Sequence, residues 1–305
     1  MRKYSRTSKE GFIIITVLMI SAMFLSTAVA YAMFARNEMR RITGEEFAAA
    51  SRAVAVIASR EAVNWVALKT TGSDSRHDSL YSGSPIELNY GDYQVYITLT
   101  PLDDKIPING LLLPDGTTMK NEYTYAWNLA WRNLGYSTPP PVLDFISPGD
   151  SEPRPGSREE DYFPNKPLSD LSELMRLPEI GAGNLYAGVS ADLAIDSYFT
   201  VYGNDGININ MASPAVIRIL DPGIGPDVAD AITAYRLENA IQNARDLSNI
   251  AGFSSSVATR LNNVINYASN YFFLELRVER AMFERMFDAI IMKDGEKAQI
   301  VNWRE

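Results

Sequence analysis

The longest apolar stretch of the chain lies near its N-terminus. Between Phe12 and Ala35 there is no charged residue, proline or glycine. A run of this length can cross a bilayer as a helix, which needs roughly 20 apolar residues. Up to about Lys69 the chain stays rich in alanine and free of proline, and Gly44 is the only interruption. We therefore predict one long helix over residues 12–70, membrane-spanning over 12–35.

The second half of this helix carries apolar residues at spacings of three and four, which predict a buried face. The large residues that define this face are Phe47, Val54, Ile57, Val63 and Val66. Half of the helix should therefore lie in the membrane, while the other half should pack on a globular domain.

Alternating apolar and polar residues at both ends of the remaining chain predict strands. The pattern is clear over residues 93–100 and 271–280, and residues 290–303 predict a hairpin that turns at Asp294–Gly295. Residues 71–91 are rich in glycine, serine and proline and predict a loop. The middle of the chain has helical patterns, including a helix start at Ser213–Pro214.

These patterns predict an α+β fold. Segments 71–103 and 269–305 form one antiparallel sheet domain, and a large all-α domain over 104–268 is inserted into it. The sheet face of Phe272, Leu274 and Leu276 should pack on the apolar stripe within residues 47–66 of the helix.

Composition excludes several chemistries. The 305 residues contain no cysteine and a single histidine, His77. We therefore predict no disulfide framework, no thiol chemistry and no histidine-based triad. We also predict that the chain is not an enzyme. Without residues 1–11 the chain has 24 basic and 36 acidic residues, a net charge of −12. Such an acidic protein is a poor binder of nucleic acid or anionic lipid, so no nucleic acid is expected among its partners.

The polar residues before the apolar run orient it. Four bases against the single acid Glu10 favour keeping the N-terminus in the cytoplasm. The apolar run is longer than the 7–15 residues of a secretory signal. The abrupt junction at Gly11–Phe12 resembles the prepilin-peptidase site of type IV pilins and type II secretion pseudopilins. This resemblance implies a leader over 1–11, cleavage after Gly11 and methylation of the new Phe12 amine. An uncleaved signal anchor is the alternative.

Thr16 departs from the common pattern of these families. Counted from Phe12, it occupies the fifth mature position, where most pilins and pseudopilins carry glutamate. In the resembled family, absence of this glutamate marks the K component, the minor pseudopilin at the pseudopilus tip. Thr16 is thus predicted to be a marker of tip position.

Three further segments resemble the general secretion pathway protein K family. They are Leu102–Asn109, close to "D-x-x-G-K-I-N-L-N"; residues 207–220, close to "I-N-V-N-T-A-x-x-x-V-L"; and parts of 144–174. The resemblance implies a pilin-like fold and a minor pseudopilin that initiates or caps the pseudopilus tip for protein export across the outer membrane. It also implies a single-pass inner-membrane protein with a periplasmic C-terminal domain. The implied partners are the I and J minor pseudopilins, the major pseudopilin and prepilin peptidase.

Residues 136–167 form a long linker rich in proline, glycine and acids, and relatives of this family are thought to bind calcium here. Carboxylates on a flexible loop suit Ca²⁺, which takes six to eight oxygen ligands. Ser147 replaces one acid of the family pattern, and a solvated acidic loop is the alternative to a calcium site. The candidate ligands are Asp144, Asp150, Glu159, Glu160 and Asp161.

The turn at Gly223–Gly225 resembles a helix-hairpin-helix, which can offer backbone N–H groups to phosphate. Residues 207–268 contain four bases and five acids, however, so a packing turn is the favoured interpretation. Two other functions remain open. One is a minor pilin of a type IV pilus or competence system that contacts DNA through this region, and the other is a membrane-anchored periplasmic hydrolase.

Overall fold

The computed structural model describes residues 7–69, 72–81, 83–148, 163–186, 194–203 and 206–305, with side chains from Phe12 onward except that of Ala182. Its first element is helix α1 (Thr7–Leu68), whose 62 residues give a length of about 93 Å at 1.5 Å per residue. The predicted long helix is confirmed, but it begins before Phe12. Gly11 and Gly44 both lie inside it, because one glycine costs a helix only about 1 kcal/mol relative to alanine.

The other described elements follow in chain order. The strands are β1 (Ile86–Tyr90), β2 (Tyr93–Pro101), β3 (Ile106–Pro107), β4 (Phe199–Thr200), β5 (Ile207–Asn208), β6 (Ile265–Asn266), β7 (Tyr271–Arg280), β8 (Phe283–Asp294) and β9 (Lys297–Arg304). The helices are α2 (Thr124–Asn133), α3 (Val142–Ile146), α4 (Ala182–Leu185), α5 (Ile195–Tyr198), α6 (Pro214–Ile219), α7 (Pro226–Glu238), α8 (Ala244–Ser248) and α9 (Ser255–Leu261). Short 3-10 helices span Ile108–Gly110, Asn121–Tyr123 and Leu171–Arg176.

A five-stranded antiparallel sheet has the order β1-β2-β7-β8-β9. The alternation predicted for residues 271–280 is confirmed, since every second residue of β7 from Phe272 to Val278 is buried. The predicted hairpin is confirmed as the β8–β9 turn, where Gly295 has a φ of 59°. This left-handed conformation suits glycine, which has no Cβ to clash.

Strand β1 lies inside residues 71–91, so the prediction of a loop was wrong there. Its five residues alternate between half-buried and exposed. An edge strand of this kind has no fully buried residue, and its pattern is therefore weak. Gly91, with a φ of 62°, lies in the tight turn that joins β1 to β2.

The second half of α1 packs across one face of this sheet, as predicted. The contact is made mainly by small residues, because Ala55, Ala58 and Ala62 have no exposed surface and join the sheet core with Val66. Their partners on the sheet include Val95, Ile97, Phe272, Leu274, Leu276, Val278 and Phe287.

The predicted helix face was only partly correct. Phe47 and Val66 are buried, but Ile57 is 47% exposed, and Val54 and Val63 are only partly buried. Alanine allows the helix and strand backbones to approach closely, whereas large side chains along the whole contact would overfill a close-packed core.

Between β2 and β7 lies the predicted inserted helical region. Its core includes Trp127, Trp131 and Phe199, with Phe199 5.3 and 5.0 Å from the two indole rings between centroids. Ser213 is confirmed as an N-cap, because its hydroxyl accepts a hydrogen bond from the Val216 N–H at 3.2 Å. Two short parallel pairs, β3–β4 and β5–β6, depart from the expected all-α composition. In these pairs, β3, where the chain enters the region, is hydrogen-bonded to β4, and β6, where the chain leaves it, is hydrogen-bonded to β5.

Candidate functional site

The N-terminal half of α1, called the lower half below, is apolar and is not covered by any other part of the described chain. Phe12 is 70% exposed and Ile20 is 50% exposed. The most apolar 18-residue window of the helix has a mean hydropathy of 2.4, and none of it is buried. By length and composition, this is the one helix in the described part of the chain that is suited to crossing a membrane. Contiguous apolar surface of this extent indicates contact with lipid or another protein.

The predicted processing junction lies inside this continuous helix. Gly11 and Phe12 are both helical, and the helix begins four residues before Gly11. Cleavage between them would remove residues 1–11 and leave the apolar run at the new N-terminus. The cleavage and the methylation of Phe12 remain predictions.

Thr16 satisfies its polar group within its own helix. Its hydroxyl donates a hydrogen bond to the carbonyl oxygen of Phe12 at 2.9 Å, one turn earlier. Threonine makes such back-bonds readily in helices. The side chain therefore presents no charge to a neighbouring subunit, which agrees with the predicted role of Thr16 as a marker of tip position but does not test it.

The inserted region lies at the end of the sheet that is farther from the apolar run. At the near end, the ring of Phe47 stacks on those of Tyr93 and Phe283 at 6.1 and 5.4 Å. At the far end, the Lys293 ammonium donates to the carbonyl of Lys69 at 2.5 Å. Lys293 N–H also donates to the carbonyl of Asn270 at 2.7 Å, where the inserted region ends.

Residues 72–81, predicted to be loop, form a polar strap beside the end of α1. The Lys69 ammonium binds the carboxylates of Asp74 and Asp78, the latter at 2.7 Å. Asp74 also accepts a hydrogen bond from the Ser269 N–H at 2.6 Å. Farther along the strap, His77 Nε2 lies 3.0 Å from the carbonyl of Arg236 in α7. The strap thus joins α1, the sheet and the inserted region.

Asp103 holds the root of the inserted region and is only 2% exposed. Its carboxylate accepts hydrogen bonds from the Asn270 N–H at 2.6 Å and the Tyr271 N–H at 3.1 Å. Its own carbonyl accepts from the Asn208 N–H at 2.6 Å. Burial raises the pKa of Asp103 to about 7, although the two backbone N–H groups act in the opposite direction.

The hairpin at Gly223–Gly225 is a packing turn in its geometry. A Cβ at Gly223 would lie 2.5 Å from Val257 Cγ2, so glycine is needed for the close approach to α9. The Asp221 carboxylate accepts the Gly223 N–H at 2.7 Å and binds the Arg260 guanidinium through two bonds of 2.7 Å. The hydrogen bond from Arg260 keeps the pKa of Asp221 below its ordinary value.

This arrangement opposes phosphate binding. A carboxylate already occupies one hairpin N–H, and Asp227 lies in the first turn of α7. Negative charge at this place repels a second anion. The guanidinium of Arg236 is turned inward instead, where it donates to the carbonyls of Ile209 and Ala212 at 2.6 and 2.7 Å. Burial lowers its pKa to about 10.

Of the five predicted calcium ligands, the structure places one. Asp144 lies in the first turn of α3, while Asp150, Glu159, Glu160 and Asp161 lie outside the described residues. Among the residues that are described, no three or more acids, histidines or cysteines form a group suited to a metal ion. The calcium site remains a prediction.

The polar residues that join the two regions were not identified as a site in advance. Asp103 lies within a segment whose resemblance was noted, but its sequence neighbours give no sign of burial. Asp74 contacts Ser269, a residue 195 positions away. A run of polar residues looks the same whether it is solvated or folded against a distant backbone.

These features together define a pilin-like α+β protein: a long N-terminal helix on an antiparallel sheet, with a helical region inserted at the far end. The fold is similar to that of a chain in the crystal structure of the GspK-GspI-GspJ complex from the type 2 secretion system of enterotoxigenic Escherichia coli. The TM-score is 0.60 at 16% identity, over 88% of this chain and 98% of that one. The resemblance noted in the sequence is thus confirmed at the level of the fold.

Two sequence comparisons complete this picture. Residues 203–266 match the model of a helix-hairpin-helix motif, which covers the Gly223–Gly225 turn and its flanking helices. Among curated proteins, none matches the chain.

Proposed function

We propose that this chain is a minor pseudopilin of a type II secretion system, placed at the tip of the pseudopilus. The observation that carries the proposal is the position of the inserted region. It occupies the end of the sheet farthest from the apolar helix, which is the end that faces away from the membrane if that helix spans it. A bulky region there hinders a further subunit from being added above.

The lower half of α1 supplies the second part of the proposal. Held in the inner membrane after synthesis, the apolar rod would later pack beside the corresponding helices of neighbouring subunits. Most such subunits pair a glutamate at the fifth mature position with the amine of a neighbour. Thr16, with its hydroxyl bonded to Phe12, lacks the charge for that pairing and suits a subunit with none above it.

The partners we propose are the I and J minor pseudopilins, with the major pseudopilin below them and prepilin peptidase acting on Gly11–Phe12. The similar solved structure is a complex of GspK, GspI and GspJ. The role is structural, without a catalytic step. A DNA-contacting pilin is disfavoured by the Asp221 carboxylate on the hairpin N–H. The acidic charge of the head, the name used here for the sheet together with the inserted region, also disfavours it.

N-terminal mass spectrometry of the protein from membranes tests the class. A mature end at N-methylated Phe12 is expected. An intact leader, or cleavage near Ala30, would reject the proposal. Co-purification tests the partners, because the full chain should retain the I and J subunits in mild detergent. Retention of the major pseudopilin alone would contradict the tip position.

A further inference from the structure

The end of the head nearest to the apolar run carries an exposed hairpin tip. Ala281 and Met282 join β7 to β8, and Met282 is 85% exposed. The next residue, Phe283, stacks on Phe47 at 5.4 Å, and a Cβ at Gly44 would lie 3.9 Å from its ring. The tip therefore lies beside α1 at the level of Gly44, nine residues beyond the end of the apolar run.

The side chains around this tip are those that favour a membrane surface. The Arg280 guanidinium lies over the ring of Tyr93 at 5.1 Å and donates to its hydroxyl at 3.1 Å. Tyr90 faces Tyr93 across the β1–β2 pair. Tyrosine is enriched at membrane interfaces, and arginine can place its charge among headgroups while its stem stays on apolar surface.

Two arginines of α1 face the same gap between head and membrane. Arg40 and Arg36 precede Phe47 by seven and eleven residues, which places them on the helix side that carries the sheet. Both are exposed, and neither forms an ion pair within the described residues. Arg41, on another side of the helix, is bound instead to Glu38 and Glu45, both at 2.6 Å.

Acidic groups also lie near the tip, and some of them are paired. Asp92 lies 3.8 Å from Arg280, and Glu279 binds Arg277 at 2.9 Å. Glu46 and Glu284 are exposed. The net charge of −12 is uneven: residues 104–268 carry 11 bases and 20 acids, a net −9, and the rest of the mature chain carries only −3. Repulsion from an anionic bilayer is therefore weakest at this end.

Geometry allows the tip to reach the headgroups. The 24 apolar residues from Phe12 to Ala35 give a helix of about 36 Å, longer than the ~30 Å hydrocarbon core. Tilting absorbs such an excess. The tip lies about 13 Å farther along the helix than the end of the apolar run, and about 10 Å to the side of the helix. If the helix tilts by about 32° toward the sheet, a group at this position comes within about 6 Å of the hydrocarbon. That distance places it inside the headgroup layer.

We propose that the hairpin tip from Arg280 to Phe283 docks on phospholipid headgroups of the periplasmic leaflet before assembly. Met282 enters the headgroup layer, and Arg36, Arg40 and Arg280 face lipid phosphates. The inference rests on the membrane-spanning orientation under the proposed function. Docking holds the head tilted against the bilayer, and joining a fibre breaks this contact.

Single cysteines test this directly, because the chain has none of its own. The full chain would carry a fluorophore at Val29→Cys in the apolar run, Met282→Cys at the tip, or Glu296→Cys in the β8–β9 turn at the opposite end of the sheet. Liposomes would contain phosphatidylglycerol and lipids brominated near the carbonyl end of their acyl chains. We expect strong quenching at position 29, clear quenching at 282 and none at 296.

The outcomes separate the two proposals. Quenching at 29, with 282 no more quenched than 296, overturns the docking while the membrane span stands. No quenching at 29 overturns both. In the Met282→Cys background, replacing Arg36 and Arg40 by glutamine should lower the ratio of docked to free heads about fivefold for each arginine. The control Arg245→Gln, an exposed arginine of α8, should change nothing. Unchanged quenching in the double variant overturns the role of these two arginines.

Discussion

Folded proteins usually bury large apolar side chains and expose charged ones, and each end of helix α1 departs from one part of this rule. At its lower end, large apolar side chains from Phe12 onward are exposed. At its upper end, charged side chains are enclosed, with Lys69 bound to Asp74 and Asp78, and Asp103 nearby at the root of the insertion. The first arrangement is favourable only in a non-aqueous environment, and the second only where each charge has partners. The helix thus links a surface built for other molecules to a junction built for its own chain.

The largest expected effect concerns the upper end. The pKa of Asp103 is about 7 in the folded protein against an ordinary value of 3.8. The folded state therefore holds a proton that the unfolded state has lost, and stability should fall as pH rises from about 4 to 7. At 1.36 kcal/mol per pKa unit, the Asp103 contribution to this fall is about 4 kcal/mol.

Asp103→Asn isolates this contribution. The asparagine cannot ionise, so urea titrations of the full chain in detergent should show a free energy of unfolding that depends less on pH. At low pH the free energy of unfolding of the variant should be about 1 kcal/mol below that of the native protein. Asparagine has one side-chain oxygen in place of two, so one of the two backbone N–H groups loses its acceptor. Parallel pH profiles for variant and native protein would contradict the raised pKa.

At the lower end, the test is a matched pair of substitutions. Ile20 and Ile57 are exposed to nearly the same degree, 50% and 47%, but we place only Ile20 in lipid. Ile20→Asp should therefore reduce membrane integration by about 3 kcal/mol. Ile57→Asp should leave both integration and head stability within about 0.5 kcal/mol of native. Integration is measured by membrane fractionation, and equal losses for both variants would refute the division of the helix.

Between the two ends, small residues set the distance from helix to sheet. Ala62 has no exposed surface, so Ala62→Phe adds a ring to a contact that is already filled. The overpacking should lower the free energy of unfolding by about 2 kcal/mol. Ala53→Phe, on the exposed side of the same helix, is the control and should change it little. Denaturant titration would reveal whether the two variants differ, as they must if alanines form the contact.

The smallest energetic effect is expected at position 16. Thr16→Glu should leave the head stability unchanged, because the residue lies far from the sheet. Under the proposed function, the new glutamate supplies the carboxylate that most such subunits pair with a neighbour, so some copies should now appear below the tip. Thr16→Val, which adds no charge, should keep native placement. Subunit counting in purified fibres measures this, and identical counts for both variants would remove the positional role of Thr16.

The parts of the fold that repeat along the chain were predictable. The alternation of β7 and the β8–β9 turn at Gly295 follow from local rules, as does the Ser213 cap. The helix face was misjudged because size was taken as the mark of burial, whereas alanine makes the closest contact. Strand β1 was missed because an edge strand buries too little to show a pattern.

The functional features divide in the same way. The apolar run, Gly11–Phe12 and Thr16 are readable because they lie together in sequence. The strap and Asp103 act through backbone groups of residues such as Ser269 and Asn270, more than 160 positions away. No local pattern reports such pairs, so only the folded structure shows them.

Locating the insertion on an assembled fibre tests the central claim most directly. A gold label on Glu122→Cys, an exposed position of the inserted region in a chain without other cysteines, can be seen by electron microscopy of purified pseudopili. The tip assignment predicts one label at a single end of each fibre. Labels spaced along the fibre length, or fibres of normal number and form that never carry one, would contradict it.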